Sequence, residues 1–214
     1  MAGGYDDGYR ACPCFWGRNV GSLVTFLLDR VESVTGWRVL DAGCGEGKNA
    51  VALAGRGASV LACDISEAAL ANARRAWEIT AGITWVRGDV RQMQFRDGEF
   101  DLVIAYGLLH CLQTEEDVRA TLRKFQDATR VGGYNIVCAF NDRHQDLSAH
   151  PGFTPFLMRH EDMVGCYADW SLLTASDSDL WETHPHNAIP HVHSLTRLVA
   201  AKANPATLLI PEDA

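Results

Sequence analysis

Short apolar runs alternate with amphipathic stretches through the middle of the chain. "WRVLDA" (37–42), "ASVLACDI" (58–65), "ITWVRGD" (83–89), "FDLVIAY" (100–106) and "YNIVCAF" (134–140) read as five strands. Residues 48–55, the Ala-rich "SEAALANARRAWEIT" (66–80) and "TEEDVRATLRKFQDAT" (114–129) read as the helices between them. Ser66 and Thr114 are suitable N-caps, and Asp117 follows Thr114 at the capping-box interval. Strands and helices in this rhythm predict a parallel sheet joined by right-handed crossovers.

The rhythm changes after residue 140. Residues 141–160, rich in His, Asp, Pro and Gly, read as an irregular excursion over the sheet edge. A short helix over 161–167 follows, then two late strands, "DWSLLTAS" (169–176) and "SLTRLVAAK" (194–202), joined like a hairpin. The expectation is one domain over 1–203. It has a lid and leading helix at 1–35, a substrate-side insertion at 141–168, and a loose tail at 204–214.

Composition narrows the class. A length of 214 residues suffices for one sizeable core, and a formal charge of -8 argues against binding by phosphate attraction. No nucleic-acid partner is therefore expected. The first ten residues lack an apolar h-region, and the longest apolar stretch, 102–109, is far too short to span a membrane. The expectation is a cytoplasmic protein without a membrane partner, a monomer or homodimer. Its seven cysteines, without framework spacing, read as free thiols.

The first chemistry lies in "VLDAGCGEGKNA". A strand, then Gly43, Gly45 and Gly47, then a helix lets the backbone turn sharply while leaving room for a polar ligand. The third glycine falls one place early for a dinucleotide fingerprint. Asp64 ends the second strand, where a carboxylate can accept both ribose hydroxyls, and Asp89 ends the third beside an adenine edge. Three strand-end acids around one glycine loop outline a nucleoside pocket at the carboxyl edge of the sheet.

Residues 39–65, "GDV", "FDLVIAYGLLHCL" and "VGGYNIV" resemble the motifs of the class I S-adenosylmethionine-dependent methyltransferases. "GCGEGKNAVALAGRGASVLACDIS" and "GFTPFLMRHEDMVGCYADW" are most similar to the TehB-type tellurite-resistance branch. The resemblance implies a Rossmann-like α/β fold: seven mostly parallel strands, an antiparallel last strand, and helices on both faces. It implies S-adenosyl-L-methionine as cofactor, S-adenosyl-L-homocysteine as product and a small-molecule substrate. It assigns Asp41, Gly43, Cys44, Gly45, Asp64, Ile65, Asp89 and Val90 to the cofactor, and sets Tyr106 near the methionine moiety. Trp16 and Arg18 read either as a lid touching the cofactor carboxylate or as a staple for the leading helix. Tyr9, Phe153, His191 and Arg197 are the candidate substrate contacts.

"ETHPHNAIPHVHS" gathers His184, His186, His191 and His193 within ten positions. On facing hairpin arms two H-x-H pairs could meet as metal ligands, yet Pro185 and Pro190 disturb that geometry, and no metal is expected. Imidazole titrates near neutral pH, so His184 or His186 is expected as a general base over the pocket, with His110 next in line. Solvated histidines without duty are the remaining reading. Pro185 stands where the TehB-type branch carries Arg, which sets tellurite specificity in doubt. The expected reaction is in-line methyl transfer to an O, N or S nucleophile. The alternatives are a tellurium or selenium oxyanion or a thiol as acceptor in resistance, or noncatalytic nucleoside binding.

Overall fold

The computed structural model describes residues 5–78, 81–184 and 188–204. Of the expected tail at 204–214, residues 205–214 lie outside them. Seven strands form one sheet in the order β3-β2-β1-β4-β5-β7-β6. They are β1 (Arg38–Ala42), β2 (Ser59–Asp64), β3 (Ile83–Arg87), β4 (Phe100–Tyr106), β5 (Thr129–Gln145), β6 (Ser171–Glu182) and β7 (His191–Ala201). The first five pair in parallel, while β7 runs antiparallel between β5 and β6.

Six helices accompany them among the described residues: α1 (Asp6–Ala11), α2 (Ser22–Leu28), α3 (Lys48–Ala54), α4 (Glu67–Ala76), α5 (Glu115–Ala128) and α6 (His160–Gly165). Both predicted caps form. Ser66 Oγ accepts from the N–H of Ala69 and Thr114 Oγ1 from that of Asp117, each satisfying a donor at a helix start.

Central strands buried on both faces explain the continuous apolar runs. Leu40, Val103, Val137 and Leu198 face Val118, Leu122 and Phe125 of α5. Val39, Leu102, Ile104, Ile136 and Val199 face Leu23, Val24 and Leu27 of α2 and Leu53 of α3. Each such side chain contributes about 1.5–3 kcal/mol by leaving water. This two-sided core holds the carboxyl ends of β1, β2 and β4 rigidly at one edge.

Two expectations need correcting. Residues 141–145 are not irregular, because β5 continues to Gln145. Its polar extension is held by Arg143, which forks onto Asp177 (2.7 Å) and Asp179 (2.7 Å) of β6. The second concerns β6 and β7, which are longer than their apolar cores. The connection shrinks to 183–190, and His191 and His193 stand on β7 itself. The late strands recruit polar residues because each has a partner to satisfy its backbone.

Candidate functional site

A cavity of about 370 Å³ opens at the carboxyl edge, within the range that admits a small organic ligand. Its floor is the loop from β1 to α3. Gly43, Gly45 and Gly47 all take positive φ there (68°, 54° and 78°). A Cβ at Gly45 would lie 2.9 Å from Tyr9 Oη, and one at Gly47 would meet Trp85 at 2.2 Å. The first keeps the ligand side of the loop open, and the second lets β3 pack behind it.

Asp41 lies beside this loop, fully buried, with its Oδ2 lacking any hydrogen-bond partner. Burial pushes its carboxyl up to about 7, against the pull of the Ala50 N–H and the Lys48 cation. Asp64 is better supplied. It accepts from Gly45 N and Ser66 N, both at 2.8 Å. Burial still raises its pKa, opposed by those same N–H groups. Both acids line the cavity with Gly43, Cys44, Gly45, Ile65, Asp89, Val90 and Tyr106.

Asp89 differs from its expected posture. Its carboxylate forks onto Arg91 (Oδ2 to Nη2, 2.7 Å), and Arg91 also grips Asp117 at 2.8 Å. That hydrogen-bonded pair holds the Asp89 carboxyl below its usual range. The residue borders the pocket, with its charge already engaged by Arg91.

The N-terminal segment roofs the cavity. Tyr5, Asp6, Tyr9 and Trp16 line it from above. Trp16 donates from Nε1 to Tyr9 Oη (3.2 Å), and Lys48 Nζ donates to Trp16 O (3.0 Å). The buried Glu46 completes the attachment by accepting from Cys14 N (2.7 Å) and Asn72 Nδ2 (2.9 Å). Trp16 therefore lines the pocket, tied to Tyr9 and Lys48. Arg18 is exposed, lies 5.2 Å over the Trp77 ring and does not line the cavity.

The histidines divide. His110 lines the cavity, stacked on Phe140 with centroids 4.0 Å apart. Its Nδ1 accepts the Phe140 N–H (3.1 Å), so Nε2 carries the proton and meets Tyr5 Oη at 3.2 Å. Burial lowers its pKa to about 3. His110 is thus a neutral donor facing the roof, without the free lone pair that its expected role as base requires.

His184 and His191 are buried but do not line the cavity, and neither does Phe153, which packs on Tyr5 (5.2 Å). The structure thus sets these three beside the cavity and not on its lining. Phe15 stacks on His184 with ring centroids 4.9 Å apart. His186 lies outside the described residues. Arg197 does reach the cavity, and its buried Nε has no hydrogen-bond partner.

Sequence reasoning missed Tyr5, Glu46, Lys48 and Glu182 as lining residues, and His150 as a neighbour of the histidine array. Glu182 stands two positions before His184, an alternation that a strand reading of 171–182 would have exposed. His150 carries no such signal, since only the tertiary fold brings it to residues 191 and 193.

Residues 39–133 match the family described as "Methyltransferase domain". The chain is 35% identical over 114 residues to a demethylmenaquinone methyltransferase of Thermobifida fusca, covering 52% of this chain and 47% of that protein. It spans about half the length of the curated relatives it matches. Among solved structures, TehB from Haemophilus influenzae superposes with a TM-score of 0.70 at 20% identity, over 86% of this chain and 62% of that one. A second, described as "Conversion of a Disulfide Bond into a Thioacetal Group during Echinomycin Biosynthesis", gives 0.69 at 21% identity over 97% and 96%. The fold is that of the class I S-adenosylmethionine-dependent methyltransferases, TehB among them.

Proposed function

We propose that this class I methyltransferase fold binds S-adenosyl-L-methionine in the roofed cavity and moves its methyl group to a small anionic nucleophile. The observation that carries the cofactor assignment is Asp41. A buried carboxylate oxygen without a partner, on the wall of a glycine-lined cavity, is satisfied by a cationic donor. The α-ammonium of an amino acid is such a donor. At the neighbouring strand end, Asp64 is oriented by two backbone N–H groups and keeps lone pairs for a ribose diol. The residues present fit the cofactor at both of its polar ends.

When bound, the cofactor supplies an electrophilic methyl on a sulfonium. The chain contributes position and dryness. Gly43 and Gly45 let the backbone approach, Asp41 and Asp64 fix the two ends, and Tyr5, Tyr9 and Trp16 exclude water from above. Arg197 offers a half-buried guanidinium on the same cavity, with its Nε buried and unpartnered. It is the group that favours an anionic acceptor, an oxyanion, carboxylate or thiolate, over a neutral amine. Such an acceptor arrives deprotonated and needs no general base, in keeping with His110 being locked as a donor.

Calorimetry with S-adenosylmethionine, S-adenosylhomocysteine and NADH tests the cofactor. Saturable one-to-one binding of the first two is expected. Binding of NADH alone would refute the assignment. A mass-spectrometric screen of anionic metabolites for a gain of one methyl group tests the acceptor.

A further inference from the structure

We propose that Glu182, His184, His191 and His193, together with His150, form a binding site for one divalent first-row transition-metal ion, immediately behind the cavity wall. The sequence reading expects no metal, and the geometry points to one.

The ligand atoms converge. His150 Nε2 lies 3.1 Å from His191 Nε2, 3.2 Å from His193 Nε2 and 3.1 Å from His184 Nε2. Glu182 Oε1 stands 3.5 Å from His191 Nε2, 3.7 Å from His193 Nε2 and 3.9 Å from His184 Nε2. The donor atoms of His150, Glu182, His191 and His193 all fall within 4.8 Å of one another. Metal–nitrogen legs of about 2.0–2.1 Å give neighbouring ligands roughly 2.8–3.4 Å apart, from octahedral to tetrahedral arrangement. The imidazole spacings lie in that interval, and the carboxylate sits a few tenths of an ångström outside it.

The hydrogen bonds around the cluster orient its ligand atoms toward one centre. His191 Nδ1 contacts the carbonyl of Ile189 at 2.8 Å, and a carbonyl can only accept, so this nitrogen bears the proton. His193 Nδ1 contacts Gln145 Oε1 at 2.7 Å. The Gln145 amide is fixed the right way round, because its Nε2 donates to Asn141 O and Ser194 O. His191 and His193 therefore both spend Nδ1 outward and turn Nε2 toward His150. Glu182 Oε1 faces the same centre, buried and without a hydrogen-bond partner. A divalent cation at that centre would be held by the Glu182 oxygen and the inward Nε2 atoms together. Orientation of each ligating imidazole through its other nitrogen is the outer-shell arrangement that metal sites require.

Burial adds selectivity. His191 and His193 are fully buried, Phe140 stacks on His193 at 4.0 Å, and Phe15 stacks on His184. Nitrogen-rich ligation in a dry setting suits zinc, cobalt, nickel or ferrous iron, and not magnesium or calcium, which want oxygen. The fold builds the site from three places. Glu182 and His191 face each other in the β6–β7 register, His193 shares the face of His191 two residues on, and His150 arrives from the segment after β5. Of the five, Glu182 alone also lines the cavity, so a bound ion lies one side chain from the acceptor space.

The test uses the tag-free full chain, stripped with a chelator and titrated with Zn²⁺ by calorimetry and with Co²⁺ by visible absorption. One equivalent of each is expected, with cobalt ligand-field bands and a higher Tm in zinc. His191→Gln combined with His193→Gln should weaken Zn²⁺ binding at least ~100-fold and abolish the cobalt bands. Glu182→Gln, which keeps the side-chain shape, guards against misfolding and should weaken binding by at least ~10-fold. Absence of stoichiometric binding, or unaltered binding in the double variant and in Glu182→Gln, would overturn the site. S-adenosylmethionine calorimetry on the stripped protein separates the two proposals. Metal binding without cofactor binding would defeat the methyl-transfer reading alone, and the reverse would defeat the metal site alone.

Discussion

Asp64 accepts the backbone N–H of Gly45 at 2.8 Å, so the acid ending β2 and the loop following β1 form one hydrogen-bonded unit. The side chain proposed to address a ribose also shapes the floor beneath it. Asp64→Ala should therefore weaken S-adenosylmethionine binding by roughly 10- to 100-fold, the worth of one or two charge-assisted hydrogen bonds. Asp64→Asn keeps one acceptor oxygen and should lose less. Calorimetry on both variants, with circular dichroism to show an intact fold, checks the ordering. Equal affinity in wild type and Asp64→Ala would remove this residue from the site.

Asp41 makes a pH prediction of opposite sign to that of a surface carboxylate. Burial holds its folded pKa at about 7, above the ordinary carboxyl value of 3.8. Its contribution to stability is then fully present below about pH 4 and is lost as pH rises through 7. The loss amounts to roughly 3–5 kcal/mol at most. A bound ammonium prefers the ionised form. Affinity for S-adenosylmethionine should thus rise with pH up to about 7 and then level off, while Asp41→Asn should bind weakly at every pH. Asp64 and Lys48 face the same space and shape the curve. A flat affinity profile in the wild type between pH 5 and 8 would show that Asp41 does not meet a cation.

Trp16 sits edge-on to Phe15 (4.9 Å) and to Tyr5 (5.3 Å) while its Nε1 donates to Tyr9. Trp16→Ala should open the roof. We expect faster release of S-adenosylhomocysteine and about tenfold weaker binding, with Trp16→Phe intermediate because it keeps the ring and loses only the N–H. Stopped-flow displacement measures the release. An unchanged off-rate in Trp16→Ala would mean that the segment packs the chain without gating the cavity.

The parts of this molecule that were legible in sequence are those with a local physical signature. The glycine loop, the strand-end acids and the caps at Ser66 and Thr114 each follow from residue type at a fixed interval. The array containing His191 and His193 was misplaced because Pro185, Pro190 and polar neighbours suppress any strand signal. Pairing with β6 and β5 overrides that local preference. The role of His110 was misjudged for a different reason. Its residue type suggests a base, but the N–H of Phe140, thirty positions away, decides which nitrogen holds the proton. His150 illustrates the limit, since it reaches its partners only through long-range topology.

Arg197 gives the sharpest test of what the cavity accepts. It stands on β7 opposite Cys138 of β5 and Ser176 of β6, at the centre of three hydrogen-bonded strands, so its guanidinium is held by a rigid frame. Its Nε is buried without a hydrogen-bond partner, a costly state that an anion in the cavity relieves. Arg197→Gln removes the charge while keeping polar length, and Arg197→Lys keeps the charge while losing the planar fork. If the guanidinium holds the acceptor, Arg197→Gln should raise KM for anionic acceptors by roughly 10- to 100-fold, a change of about 1.4–2.7 kcal/mol. Arg197→Lys should fall between, and S-adenosylmethionine affinity should stay within about twofold in both. The competing assignment is the carboxylate of the cofactor itself. It predicts the reverse pattern, with cofactor affinity falling in Arg197→Gln and the KM of every acceptor, charged or neutral, moving little. Measuring both parameters on the same two variants therefore assigns the guanidinium to one anion or the other.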